Sequence, residues 1–338
     1  MAPQQEDRPV IVGAGPGGVA AALFLARAGI PSLLLEKHTF PRDKVCGDAL
    51  SGKVLEVLRR LDPAYADALH QSAVGLPSWG IAFSAPSGEQ LRVPFKLQYD
   101  ATTERPPGYI SRRWDFDAWW AAQARQEPLI ELREEAPVAD AWEEDGGVAL
   151  RLKDGSQLHT PLALAADGAN STLARKLAGR QVAPRHHSGG VRAYYTGVQG
   201  LLADGFIELH FLQDLKPGYL WIFPLPGGGA NVGLGMRTDV LKRKGLNLKQ
   251  LLPDVLARPP FQARFAQASL EGPIQGLGLP LGSRRLPLSG PGWLLLGDAG
   301  SLVDPFTGEG IGNALICGRM AGEHLAQIWA GGDFSQAA

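Results

Sequence analysis

The chain has 338 residues, 45% hydrophobic and 20% charged, with 33 Lys+Arg against 34 Asp+Glu and a formal net charge of −1. That length holds two domains or one large α/β unit with an insertion, and the apolar share excludes a disordered chain. The balanced charge gives no electrostatic ground for a nucleic-acid partner.

Met1–Arg8 is polar and acidic and lacks the basic-then-apolar build of a signal peptide. Pro9–Val12 reads as a short buried strand, Gly13-Ala14-Gly15-Pro16-Gly17-Gly18 as a turn and Val19–Ala28 as a helix closed by Gly29. Ser32–Leu35 is a second strand ending at Glu36. Val54–Leu61 and Asp115–Gln126 carry helical spacing, with short strands between Trp79 and Phe95. Leu129–Ala166 reads as β, with a hairpin turn at Asp154-Gly155. Val191–Val198, Phe206–Phe211, Tyr219–Pro224 and Asn231–Met236 predict an antiparallel sheet of their own, and Leu246–Ala257 returns to helix. Trp293–Leu296 is a strand able to complete the N-terminal sheet, and a long helix is predicted from Gly308 to Trp329. No window reaches the ~18 uninterrupted apolar residues of a membrane span. Cys46 and Cys317 belong to no C-x-x-C pair, so a cytoplasmic protein without disulfides is expected.

The N-terminal glycines carry the first chemical signal. Gly13 permits a tight turn, Gly15 lets the backbone approach a pyrophosphate, and Gly18 lets the helix pack close to the strand; Gly17 joins them as a cofactor-binding candidate. Phosphates would meet the helix N-terminus, where free N–H groups and the dipole favour negative charge. Glu36 lies 21 residues after Gly15, where its carboxylate can accept both ribose hydroxyls and would repel a 2′-phosphate. A second element, Gly297-Asp298-Ala299, ends a strand, and Pro305–Ile311 opens a helix. A carboxylate and a glycine-rich helix start suit a ribityl chain and the electron-rich edge of a flavin, which favours FAD over NAD. A third element is Ala166-Asp167-Gly168-Ala169-Asn170-Ser171, with Arg175 beyond it.

Together these segments resemble the flavoproteins typified by aromatic hydroxylases, over about Val10 to Gly312, and Arg113-Trp114-Asp115-Phe116-Asp117 resembles their Arg-x-x-Phe-Asp element. The resemblance implies an α/β fold: a Rossmann-type FAD-binding domain with an inserted antiparallel-sheet substrate domain. The expected division is discontinuous, with 1–78, 105–180 and 285–338 binding FAD and 79–104 with 181–284 forming the substrate sheet. Two further runs narrow the resemblance to geranylgeranyl reductases and related prenyl-lipid reductases. Lys44-Val45-Cys46-Gly47-Asp48-Ala49-Leu50 is similar to their Lys-x-Cys-Gly-x-Gly run, and Tyr219-Leu220-Trp221-Ile222-Phe223-Pro224 to their Tyr-x-Trp-x-Phe-Pro strand. Pro305–Ile311 is similar to their Pro-x-Thr-Gly-Glu-Gly-Ile.

That resemblance implies Cys46, Gly47 and Ala49 beside the isoalloxazine and Arg113 against the FAD, with Val138, Asp298, Gly310 and Ile311 completing the cofactor set. It places Tyr219, Trp221 and Phe223 on the wall of the substrate site. Cys46 is the catalytic candidate, touching the reacting carbon or donating a proton. Ala49 stands where Gly is more usual, and Ser51-Gly52 departs from the commonest continuation. Relatives often continue past the last helix with a segment that covers the lipid tunnel; with Ala338 as the last residue, that lid is expected to be short or missing.

The implied activity is reduction of C=C bonds in a prenyl or isoprenoid group by hydride from flavin N5, on a hydrophobic small-molecule or lipid substrate. Peripheral membrane contact to fetch that lipid stays open. No second dinucleotide fingerprint is present, so electrons would come from NAD(P)H docking transiently or from a separate reductase or ferredoxin. The rival reading is an FAD-dependent monooxygenase or halogenase acting on an aromatic or polyketide-like substrate. Halogenases of this group carry Trp-x-Trp-x-Ile-Pro, where this chain has Tyr219 and Phe223. A third is a flavin-binding electron carrier. Trp114, Trp119 and Trp120 are expected to pack, His186-His187 to lie in a solvated loop without metal, and Cys317 to be core.

Overall fold

The computed structural model describes residues 4–334; Met1–Pro3 and the last residues of the predicted division lie outside the described residues. Its centre is a six-stranded sheet in the order Ser289–Gly290, Trp293–Leu295, Ala163–Ala165, Val10–Val12, Ser32–Leu35, Ile130–Arg133. All neighbours from Trp293–Leu295 onward pair in parallel, which explains why these strands read as unbroken apolar runs: both faces are covered. The C-terminal strand does complete this sheet, and it does so through Ala163–Ala165.

Helices Pro16–Arg27 and Ile311–Ile328 cross on one face of this sheet at the contact of small residues. A Cβ at Gly318 would stand 2.2 Å from the Gly17 carbonyl oxygen, and one at Gly322 would stand 2.5 Å from Phe24 Cβ. The first helix ends as its sequence predicts, with Gly29 at φ +77. The second starts at Ile311, later than Gly308, because Gly308 sits at φ +74, outside helical space.

The second large layer is a seven-stranded sheet in the order Ser269–Pro280, His187–Thr196, Ala230–Arg237, Gly218–Pro224, Ile207–His210, Gly80–Ser84, Gln90–Pro94. Its pairings are antiparallel except between Ile207–His210 and Gly80–Ser84. Side chains alternate across it. Leu220, Ile222, Val232 and Leu234 pack under Leu252 and Phe261, while Tyr194, Leu209, Trp221 and Phe223 point the other way. The long strand Ser269–Pro280 is absent from the sequence reading, since its first half is exposed and its glycines break the alternation. Helices Pro63–Gln71 and Thr238–Lys244 are likewise additions. The β stretch 129–166 divides: Ile130–Arg133 joins the main sheet, whereas Val138–Glu144, Gly147–Leu152 and Gln157–Thr160 form a separate sheet with Gln4–Gln5.

Candidate active site

The glycine turn is shaped by contacts its sequence requires. Gly13, at φ +103, leaves 2.4 Å between a hypothetical Cβ and the Ala166 carbonyl, so the turn lies on the end of the neighbouring strand. Gly18 lies on the Gly13 carbonyl. Gly15 differs: a Cβ there would meet only Arg42 Nη2 at 3.9 Å, so the backbone is open to an approaching group. Gly15 is also the N-cap of a helix without a side-chain cap, leaving its first N–H groups free. Gly17, also a cofactor candidate by sequence, packs its Cα against the last helix, where a Cβ would stand 2.8 Å from the Ala314 carbonyl oxygen.

Glu36 is buried and accepts from the N–H groups of Ala14 (3.1 Å) and His38 (3.2 Å), which fixes its carboxylate at the turn. Its own carbonyl accepts from Ala136 N–H at 2.9 Å, and Val138, two residues on, packs into the apolar cluster beneath. Trp114 is a correction: it is 48% exposed and does not pack with Trp119 and Trp120. It borders an open cleft of about 400 Å³ with Lys37, His38, Arg42 and Glu135, beside Glu36.

At the other end, Asp167 Oδ2 accepts from Thr172 N–H at 2.6 Å while its Oδ1 is buried without a partner. Asp298 pairs with Lys44 of the cysteine run at 3.0 Å. Gly310 is the N-cap of the last helix, again without a side-chain cap, and a Cβ there would come within 3.3 Å of Asp298 Oδ1. Ile311 is buried. Two uncapped helix N-termini, an open Gly15, a fixed carboxylate and the orphaned Asp167 oxygen form a donor and acceptor set that fits a flavin dinucleotide.

The cysteine run lies directly on the aromatic strand. A Cβ at Gly47 would be 3.1 Å from the Phe223 ring and 3.8 Å from Trp221 Nε1, so only glycine fits there without displacing the wall. Tyr219 hydroxyl donates to the Thr307 carbonyl, which joins the strand to the Pro305–Ile311 turn. Ser51 and Lys53 both bond Glu309, tying the end of the cysteine run to the same turn. Ala49 pairs with Ile110 in a small sheet, and Cys46 is half-buried against the main core.

Behind the loop Arg113 is fully buried, with Asp117 accepting from it at 2.6 Å twice and also from Arg42. Burial alone would lower the Arg113 proton affinity, but Asp117 outweighs it and Cys46 adds to the effect, so the guanidinium is locked in its charged form. The same two arginines hold the Asp117 carboxyl below its usual range despite burial.

Sequence reasoning missed a buried network in front of the loop. Trp221 Nε1 donates to Asn231 Oδ1 (2.8 Å), and Asn231 Nδ2 donates to the Cys46 carbonyl (2.8 Å) and to Asp48 Oδ2 (2.8 Å). Tyr194 hydroxyl donates to that same Asp48 oxygen at 2.7 Å. The Tyr194 ring lies between two guanidiniums, Arg192 at 4.0 Å and Arg112 at 4.4 Å. Asp48 is fully buried at φ +70, and burial pushes its carboxyl up to about 6. An Asn inside the apolar strand Ala230–Arg237 was the available signal. Elsewhere, Cys317 does pack against the core. His186 bonds Ser283, but His187 opens a strand and bonds Thr238, so only part of that pair is loop. Among the described residues no cluster could hold a metal ion.

The FAD binding domain family matches residues 8–213. The menaquinone reductase of Mycobacterium tuberculosis is 32% identical over 352 residues, covering 95% of this chain and 78% of that protein. A digeranylgeranylglycerophospholipid reductase of Methanopyrus kandleri is 33% identical over 323 residues, covering 93% of this chain and 79% of its own. In fold, a geranylgeranyl bacteriochlorophyll reductase-like protein of Thermoplasma acidophilum superposes with a TM-score of 0.84 at 24% identity, over 99% of this chain and 81% of that one. A flavin-dependent brominase superposes at 0.81 and 24%, over 98% and 81%, so the architecture is shared with halogenases. The domain match and the relatives agree with the cysteine run and its aromatic strand: the chain belongs to the geranylgeranyl reductase family of FAD-dependent oxidoreductases.

Proposed function

We propose that this oxidoreductase reduces C=C bonds in the polyprenyl chain of a lipid. One observation carries the reading: apolar side chains cross the seven-stranded sheet in register, from the cysteine loop to the open edge. Trp221 pairs with Leu209, Leu209 with Phe83 and Phe83 with Leu91. Beside that row Ile207 pairs with Ile81, and Ile81 with Val93. Cross-strand partners share a face, so the rows form a continuous apolar track suited to an extended hydrocarbon. At the edge Leu91, Val93, Phe95 and Leu97 are 65%, 39%, 48% and 90% exposed. Menaquinone and digeranylgeranylglycerophospholipid, the substrates in the relatives' names, both carry polyprenyl chains, which supports the same class here.

In this reading Gly13, Gly15, Gly18 and Glu36 hold the adenosine and pyrophosphate of FAD, and Val138 lines its adenosine end. Asp167, Asp298, Gly310 and Ile311 hold the ribityl and ring end. Bound FAD supplies the hydride donor. Cys46, Gly47 and Ala49 would lie beside the isoalloxazine, with Arg113 against the FAD; Tyr219, Trp221 and Phe223 would form the wall of the substrate site and exclude water. The division into an FAD-binding part and an inserted sheet follows the same assignment. The electron donor is NAD(P)H or a separate reductase or ferredoxin, and the exposed edge would meet the membrane that holds the substrate.

The test is anaerobic. Reduced protein is mixed with geranylgeranyl diphosphate, and products are weighed by mass spectrometry. A gain of two hydrogens per double bond with reoxidation of the flavin is expected. A flavin that stays reduced with the prenyl compound, but turns over aromatic substrates in air, would overturn the reading in favour of an oxygenase or halogenase.

A further inference from the structure

Asp48 stands out among the buried groups around the cysteine loop because its two oxygens differ. The difference follows from the donor inventory. Trp221 Nε1–H can only donate, so Asn231 must turn Oδ1 toward it and Nδ2 toward the loop. Nδ2 then donates to the Cys46 carbonyl and to Asp48 Oδ2, and the Tyr194 hydroxyl donates to Oδ2 as well. Oδ2 is saturated by donors. Oδ1 is buried and has no partner. A proton on this carboxyl therefore resides on Oδ1.

We propose that Asp48 is the proton-holding group of the site, and that Oδ1 carries the proton consumed when a double bond is reduced. This rests on the C=C reduction proposed above. With reduced FAD bound to supply a hydride to one alkene carbon, the π bond would break and the neighbouring carbon would take the proton held on Asp48 Oδ1, relayed through water because that oxygen is buried. Asp48 is left as a carboxylate and regains its proton from solvent. The charged groups facing it agree with this cycle. Arg192 from the strand His187–Thr196 and Arg113 from the helix Arg113–Gln126 stabilise the carboxylate once formed. Arg192 is itself engaged by Asp43 at 2.8 and 2.9 Å, and Arg113 by Asp117, so neither forms an ion pair that would keep Asp48 permanently charged. Burial raises the carboxyl to about 6, near a working pH, as a general acid requires. Tyr194, itself raised by burial and by Asp48, stays a hydroxyl donor throughout. Cys46 remains on the same loop as a contact for the substrate, and the proton is assigned to the acid two residues on.

Asp48→Asn isolates this role, because an amide oxygen in place of Oδ2 keeps both donors satisfied and its NH2 copies a protonated Oδ1 that cannot release its proton. Infrared difference spectra of the FAD-loaded protein from about pH 4 to about pH 8 should show a protonated-carboxyl C=O band that titrates near neutral pH and is missing in D48N. Tyr194→Phe removes a donor that favours the carboxylate, so the same band should titrate at higher pH. With geranylgeranyl diphosphate, D48N should lose kcat by about 100-fold or more with KM little changed. Absence of the titrating band in the native protein, or D48N turnover with unchanged kcat and pH profile, would overturn the assignment. The infrared arm uses no prenyl substrate. A native protein that shows the band but reduces no prenyl compound overturns the substrate class and still supports the proton-holding role of Asp48.

Discussion

The side-chain amide of Asn231 donates to the backbone carbonyl of Cys46 at 2.8 Å, fastening the cysteine loop to the strand beside the aromatic wall. Trp221 and Asp48 share the same amide. Asn231→Leu leaves the Trp221 N–H, the Cys46 carbonyl and one Asp48 bond without that partner in a buried place. A loss of about 2–4 kcal/mol in unfolding free energy is expected, read from urea melts. With the cysteine loop beside the flavin ring as proposed, the flavin spectrum of the folded fraction should also shift when that loop is released.

Asp48 makes stability depend on pH in the direction opposite to an ordinary ion-paired acid. Its folded-state value of about 6 lies above the ordinary aspartate value of 3.8, so between these the folded chain holds more protons than the unfolded chain. This contribution therefore weakens as pH rises through that window and stays weak above it. Asp48→Asn removes the titration. The variant should gain stability over the native protein at pH above about 6, by roughly 1–3 kcal/mol, with the difference vanishing near pH 4. Thermal melts at several pH values measure this, and a variant less stable at every pH contradicts it.

The crossing of Gly318 over Gly17 leaves 2.2 Å for any Cβ. Gly318→Ala must push the last helix away from the first, at a cost of about 1–3 kcal/mol. Since Gly15, Gly17 and Gly18 belong to the displaced turn, FAD affinity should fall with stability. Flavin retained after gel filtration is the readout. Gly331→Ala, where nothing lies within 4 Å, is the control.

The exposed edge makes its own prediction. Phe95→Glu with Leu97→Glu replaces two apolar side chains with charges, removing about 1.5–3 kcal/mol of burial each if they enter a lipid phase. Cosedimentation with phospholipid vesicles should fall by at least about tenfold while the flavin spectrum stays native. Equal sedimentation of both proteins would remove the membrane from the reading.

The Rossmann-like half was legible because its signals are local. Apolar runs, a glycine turn and an acid at a fixed spacing all act within one strand–turn–helix unit, from Pro9 to Glu36. The aromatic strand was legible through alternation. What was not legible is long-range and polar. Asp48, Tyr194 and Asn231 come from three distant segments, and only the sheet register brings Asn231 beside Phe223 and over the loop. The strand Ser269–Pro280 was lost because an exposed edge strand lacks the apolar face that marks a buried one. Trp114 was misplaced since helical spacing alone does not say which face meets the sheet.

The contact between the first and last helices also sets an order of events during synthesis. The glycine turn that would take the pyrophosphate is pressed into place by Gly318 and Ala314, from a helix made some three hundred residues later. The central strand Val10–Val12 likewise waits for Ala163–Ala165, which in turn takes Trp293–Leu295. A nascent chain on the ribosome thus carries a glycine turn with one wall missing, and that turn can take its packed form only once the helix Ile311–Ile328 has emerged.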